Sequence, residues 1–530
     1  MKITLISVYP DVWSFGLRTV SSIFKKEGNN VDLIFLPKDF CEPYHEKTIQ
    51  DLIKLADKSD LVGISLMSNF WDNAIQLTEA IKKNYKIPVM WGGTHATVRP
   101  KECLQHADIV CVGESEEALM EFSRKFNNNE NIYDIKGMGF NKNGEIIVNG
   151  LRELPGSKKA EIKTLDDIPF QDFDYEKHYI LDENRIKKMN IDLFRKHWDH
   201  VYMTQPTRGC PFACTFCVNN TLLAMHPHQK PIRKRSVDNI ILELKQIKEK
   251  IPFIKKILFD DDAFFLMTID EIEDFSKKYK EQIALPLRIT GATPSTLHKT
   301  KLSLLADAGL KEMRMGIQTA GSETKKLYKR PHTNDQVEKA VRMVYDQKNV
   351  EGKYDIILDS PWDTEDDSIE TLMFLSKLPA PYMLTLFSLV LFPGTDLYNK
   401  AKKEGIIKDD INDIYRKHYH GVRKTYLNSL FMLIKDYVAV NSNLISPMLM
   451  SFLTNKKLKF INRPFALFLR LIFPLVKINH LRNKLGFLKT LKRLIANPRL
   501  SKIFPENLNI FKSIFSEKKT YDIVTPATED

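Results

Sequence analysis

The chain has 530 residues, 43% hydrophobic and 28% charged, with six cysteines and a formal net charge of +12. That length supports two to four domains around a large core, and the composition excludes a disordered, collagen-like or uniformly membrane-embedded chain. Six cysteines are too few for a disulfide-stapled scaffold. The charge excess is local: residues 421–520 hold 19 Lys and Arg against three acids, whereas residues 1–420 sum to −1. No general basic footprint for nucleic acid covers the first four-fifths, and no nucleic-acid partner is expected.

In chain order, Met1–Tyr9 carries one lysine and runs directly into Pro10 and Asp11. That reads as a first buried strand rather than a signal peptide, so the expected compartment is a reducing cytoplasm. Apolar runs at Lys2–Val8, Val31–Leu36, Leu61–Leu66, Pro88–Trp91 and Ile109–Val112 alternate with amphipathic helix-length segments. Strands apolar throughout, each followed by a helix, predict a doubly wound, Rossmann-like parallel sheet over residues 1–140. Its ligand site is expected at the strand C-terminal ends.

Residues 141–200 read as a connector, with a hairpin turn at Asn143-Gly144. Over 201–400 the alternation resumes with strands at Tyr202–Pro206, Lys256–Asp260, Leu287–Thr290, Glu312–Ile317, Tyr354–Leu358 and Leu384–Leu391. Six units are too few for a complete eight-unit barrel, so the prediction is a partial (β/α)6 TIM-type barrel. Residues 401–530 show no such alternation and are predicted to form a mainly helical, basic C-terminal region.

Cys210, Cys214 and Cys217 form C-x3-C-x2-C directly after a predicted strand. Three thiolates on a Gly- and Pro-bearing loop suit a 4Fe–4S cluster with one iron left open. A closed zinc site would need a fourth ligand, for which His226 and His228 are the nearest candidates. On that alternative the chain is a zinc-stabilised membrane- or RNA-binding protein.

With Phe216 before the last cysteine, the motif resembles the signature of the radical S-adenosylmethionine (SAM) superfamily. The resemblance implies that SAM chelates the open iron and that reductive cleavage yields a 5′-deoxyadenosyl radical. It also implies SAM contacts at Phe216, Asp260, Asp261, Gln318 and Asp359, and a reducing donor such as flavodoxin or ferredoxin. Asp260–Asp262 stands where many members carry Gly-Gly-Glu, and Gln318 where many carry Glu. The Phe392-Pro393-Gly394-Thr395 turn resembles a cofactor-adjacent loop of the same family.

A Rossmann-like domain before such a barrel resembles the cobalamin-binding branch over about residues 1–400. The implied cobalamin contacts are Ser65, Met67, Gly92, Gly93, Thr94, His95, Gly113 and Glu114. The Asp-x-His-x-x-Gly pattern is absent, with Gly93 two residues before His95, so His95 is read as a loop-orienting group rather than a cobalt ligand. A vacant first domain stays open as an alternative. The reaction that both cofactors imply is methylation of an unactivated carbon, with radical cyclisation, oxidation or rearrangement as alternatives. Cys41, Cys103 and Cys111 are read as structural.

Tyr437–Asn455 is uncharged, but its Asn, Ser and Pro residues argue against a spanning helix. Two readings of the basic region stay open: amphipathic helices on an anionic membrane, or a helical layer covering the barrel's open side. The first would suit a lipidic or hydrophobic small-molecule substrate.

Overall fold

In a computed structural model the described residues are 1–440 and 445–485. Five parallel strands appear where the apolar runs predict them: β1 (Lys2–Ser7), β2 (Asn30–Phe35), β3 (Leu61–Ser65), β4 (Val89–Gly92) and β5 (Ile109–Cys111). Alternate residues of β1 feed opposite faces. Ile3 and Leu5 join Phe24 and Phe122 in one core, and Ile6 joins Leu52 and Leu77 in the other. Burial on both faces explains why these strands read as continuous apolar runs.

The predicted connector does not stand apart from the first domain. Residues 138–188 supply β6 (Met138–Lys142), β7 (Glu145–Val148), β8 (Tyr179–Asp182) and β9 (Arg185–Lys188) to a single nine-stranded sheet. Its order is β7-β6-β5-β4-β3-β1-β2-β8-β9, so a boundary at 140 would cut through β6. The predicted hairpin forms at Asn143-Gly144, where both residues have positive φ (53° and 94°). Strand order reverses between β1 and β3, and the crevice above that point is the ligand position of doubly wound sheets.

Next come β10 (Val201–Thr204), a two-stranded ribbon of β11 (Thr207–Arg208) and β12 (Arg233–Lys234), then β13 (Lys256–Phe259), β14 (Leu287–Ala292), β15 (Leu310–Gln318), β16 (Glu351–Leu358) and β17 (Met383–Ser388). The six long strands pair in the parallel order β10-β13-β14-β15-β16-β17, the predicted partial barrel. Outward residues such as Met313, Met315 and Ile356 are buried, whereas Arg314, Gln318 and Asp355 on the other face keep partial exposure. That second face is polar: Arg314 Nε donates to both oxygens of Asp355, at 2.9 and 2.8 Å.

Trp13 and Phe15 of the first domain pack on Val201, Met203 and Leu258 of β10 and β13. Behind β17, Ser388 N donates to Tyr419 O (2.7 Å). Helices Tyr426–Ala439 and Pro447–Thr454 continue the barrel core through Leu430, Ile434 and Leu453. These elements bear out the helical C-terminal region and make its first part a barrel cover. Helix Lys459–Leu485 follows, while the predicted basic segment beyond it lies outside the described residues. No described helix is long and apolar enough to cross a membrane.

One close approach ties the barrel rim together. Gly291 has φ +74°, and a Cβ there would lie 1.7 Å from Asp261 O. Gly144 has φ +94° but open space around it. Gly291→Ala is therefore expected to cost about 3 kcal/mol or more, against about 1 kcal/mol for Gly144→Ala. Denaturant unfolding of the two variants checks the ranking, which equal losses would overturn.

Candidate active site

The cysteine loop leaves β11 at Gly209 and enters helix Val218–Ala224, with Cys217 at the helix N-cap. Gly209 has φ +91°, and a Cβ would lie 2.0 Å from Pro231 O, so the turn toward Cys210 requires glycine. The loop is held at both ends. Thr215 Oγ1 donates to Leu327 O and Thr221 Oγ1 to Gly394 O, each at 2.7 Å. The second bond places the predicted Pro-Gly turn against the cluster loop.

Cys214 is buried, while Cys210 and Cys217 are half-buried. Burial pushes the Cys210 thiol up to about 11 and the Cys217 thiol up to about 12, and the nearby Asp262 carboxylate adds to both. Thiolates here therefore need a strong compensating cation, as an iron cluster would provide. Among the described residues no group of three or more His, Cys, Asp or Glu side chains is placed to hold a metal ion. Three thiols on one loop are the donor type of an iron–sulfur cluster.

The three aspartates after β13 divide their work. Asp261 is 2% exposed and accepts from Thr207 N and Oγ1, both at 2.6 Å, and from Ala263 N at 2.8 Å. Its carboxyl, raised to about 6 by burial, locks the stem of the cysteine loop to β13 and is turned away from the cavities. Asp260 is exposed and accepts from Thr290 Oγ1 at 3.0 Å. Asp262, the third member of the quoted run but not among the predicted contacts, lines the cavity beside Cys210 and accepts from Asn219 Nδ2 at 2.8 Å.

The other predicted contacts, Phe216, Gln318 and Asp359, lie on the cysteine loop, at the end of β15 and just after β16. Phe216 packs edge-on against Tyr328 with ring centroids 5.1 Å apart. Gln318 ends β15 with φ 71°, beside Gly316. Arg330, also missed, donates through Nη2 to Gly316 O (2.6 Å) and through Nη1 to Cys214 Sγ (3.5 Å). Asp359 is occupied elsewhere: it accepts from Arg423 N (2.9 Å) and Asn428 Nδ2 (2.7 Å) and so fastens the C-terminal region to β16.

Between the first domain and the start of the barrel, a cavity of about 330 Å³ is lined by Ser65, Gly92, Gly93 and Gly113, by Leu5, Gly63 and Met90 of the sheet, by Val20 and Leu119 of the helices, and by Gln205 and Arg208 of the barrel side. Gly63 would place a Cβ 2.7 Å from Leu5 Cδ2, and Gly93, at φ +100°, would place one 2.6 Å from Leu66 O. Small residues above an apolar shaft fit a bulky flat ring with a slender tail. Met67 is 43% exposed and does not line this cavity. His95 is fully buried: its Nδ1 lies 2.8 Å from Ser68 Oγ, and its ring packs on Trp71 and Tyr415 at 5.0 Å each. Burial, aided by Arg99, pushes its pKa down to about 3, so it stays neutral and orients the loop from inside the core.

A second cavity of about 360 Å³ is lined by Gly93, Thr94, Gly113 and Glu114 of the first domain and by Cys210, Asn219 and Asp262 of the barrel. Gln205, Arg208 and Glu114 line both cavities. Glu114 accepts from Arg208 Nη1 (2.9 Å) and Arg233 Nη1 (2.8 Å), and Arg208 also pairs with Glu116 at 2.6 Å. The two arginines hold the Glu114 carboxyl well below the usual carboxylate range.

Comparison with known proteins agrees with this geometry. Residues 204–375 match the Radical SAM superfamily model and residues 1–123 the B12 binding domain model. The uncharacterized methyltransferase PH0819 of Pyrococcus horikoshii is 25% identical over 393 residues, covering 73% of this chain and 78% of that protein. Bacteriochlorophyllide d C-8(2)-methyltransferase of Chlorobaculum tepidum is 23% identical over 421 residues, covering 75% and 80%. The cobalamin-dependent SAM radical enzyme OxsB with aqua-cobalamin bound shares the fold at TM-score 0.65 and 15% identity, over 97% of this chain and 84% of that one. The radical SAM methyltransferase TsrM of Kitasatospora setae, with cobalamin and a [4Fe-4S] cluster bound, does so at TM-score 0.60 and 15% identity, over 76% and 78%. The chain therefore carries a radical SAM domain over residues 204–375 behind a B12-binding domain over residues 1–123, and it is an enzyme.

Proposed function

We propose that this enzyme methylates a carbon atom of a small-molecule substrate. The observation that carries the reading is the shared wall: Gly93, Gly113 and Glu114 of the cobalamin crevice and Cys210 of the thiol loop line one cavity. With a 4Fe–4S cluster, SAM and cobalamin bound, the chemistry supplied is one-electron cleavage of SAM and methyl transfer to carbon.

Cys210, Cys214 and Cys217 would hold the cluster, and Asp262 and Gln318 are the polar side chains read as meeting SAM. Ser65, Gly92, Gly93 and Gly113 leave room for the corrin face. The buried, neutral His95 shapes the loop from inside the core and is read as no cobalt ligand. Asp261 acts through Thr207, by fixing where the thiol loop starts. Electrons come from a low-potential protein donor such as flavodoxin or ferredoxin.

Anaerobic reconstitution with iron, sulfide and hydroxocobalamin tests the assignment. About four irons per chain, a bound corrinoid spectrum and 5′-deoxyadenosine on addition of SAM and dithionite are expected. Products gaining one CH₂ should then appear by mass spectrometry in a metabolite extract. One zinc and no iron would overturn the reading, and absent corrinoid would overturn its cobalamin half. Cys210→Ala, Cys214→Ala and Cys217→Ala should each abolish 5′-deoxyadenosine formation, and any variant with full iron and full cleavage refutes the ligand set.

Glu114→Gln should leave iron content intact and lower the unfolding temperature, because two arginines lose their shared carboxylate, a loss worth about 2 kcal/mol when half-buried. It should also raise the ratio of 5′-deoxyadenosine to methylated product, since the two cofactor sites are aligned through this residue. An unchanged melting temperature together with an unchanged ratio would remove that role.

A further inference from the structure

Helix Lys459–Leu485 has two faces that differ in contact rather than in polarity. Asn462, Ala466 and Leu469 are buried, and Phe473 and Val476 continue that stripe against the core. Tyr437 Oη donates to Leu469 O at 2.6 Å and fixes the helix in place. On the opposite side Phe460, Leu467, Phe468 and Leu471 are 96%, 59%, 51% and 69% exposed. Their spacing of seven, one and three residues gathers them on one helical face. A stripe left exposed among the described residues marks an interaction surface.

Charge decides what covers it. Between Asp436 and Glu506 the chain has thirteen Lys and Arg and no acid. Lys459, Arg463, Arg470 and Lys477, at steps of four, seven and seven, run as one line along an edge of the exposed stripe, and all four are exposed. Residues 486–505 carry five more Lys and Arg without an acid, so laying them over this face would bring like charges together, and residues 506–530 offset this with only five acids against three Lys. A second copy meeting face to face would do the same. An anionic lipid surface supplies the opposite charge and an apolar phase at the same depth.

We propose that this face is a docking surface for an anionic phospholipid bilayer. The helix lies in the plane of the headgroups, with the Phe460–Leu471 stripe in the acyl boundary and the basic line snorkelling to the phosphates. The inference goes beyond the proposed methylation and stands independently of it: it names where the enzyme works, not what it methylates.

The test is flotation of the full chain, reconstituted anaerobically, with vesicles of phosphatidylcholine alone or mixed with phosphatidylserine. Flotation is expected only on the mixed vesicles and should fall as salt rises. Arg470→Gln with Lys477→Gln should weaken partition by roughly thirtyfold. Leu467→Ser with Leu471→Ser should abolish it; both positions are exposed, so the fold is retained. 5′-Deoxyadenosine formation in the same variants should not change, which separates failure of docking from failure of the active-site assignment. No flotation, equal flotation on both vesicles, or a dimer in sedimentation that Leu467→Ser disperses would each overturn the proposal.

Discussion

Glu114 stands at the C-terminal end of β5 in one sheet, and its carboxylate holds two arginines that belong to the ribbon beside the other. The site depends on this pairing, because neither sheet contains it alone. The first sheet offers glycine-lined space above its topological switch point; the partial barrel offers three thiols on a loop tied to its second strand. Glu114, Glu116, Arg208 and Arg233 form a neutral quartet, which moderates the cost of removing four charges from water. Arg208 also lies two residues before Cys210, so the group that joins the domains sets the start of the thiol loop. Metal loop and corrin crevice are thus positioned by one contact.

The architecture was legible wherever burial enforces a simple period. Strands β1–β5 and the six barrel strands are covered on their outer faces by helices, and their apolar runs announced them. The turn joining β6 and β7 was legible at Asn143-Gly144, but the membership of β6–β9 in the first sheet was not, because they are short edge hairpins where exposed residues such as Ile146 and Lys188 blur the alternation. Edge strands take their place from the sheet they extend, and a local pattern cannot show that.

The thiols were legible because their spacing is rare, but the polar groups around them were not. Asp260, Asp261 and Asp262 are consecutive, and backbone direction at the strand end decides which one faces Cys210 and which one is spent on Thr207. Arg330 and the Glu114 pairing are non-local, reaching across 116, 94 and 119 residues. Asp359 shows the same limit: nothing in the local sequence announces that its carboxylate accepts from Arg423 and Asn428 of the C-terminal region.

That commitment gives the C-terminal helices a register relative to the active site. Packing of Leu430, Ile434 and Leu453 on the barrel is non-directional and would tolerate sliding. The bonds from Arg423 N and Asn428 Nδ2 to Asp359 are directional and fix one position. A cavity of about 340 Å³ then extends from Asp359 and Ser360 at the barrel rim to Lys459 and Arg463 at the start of the exposed helix. The basic line along that helix is therefore anchored to the end of β16 through a short series of hydrogen bonds and packed helices. A surface that oriented the helix would by the same contacts orient the rim of the barrel, because helix, cavity and strand end form one connected piece of structure.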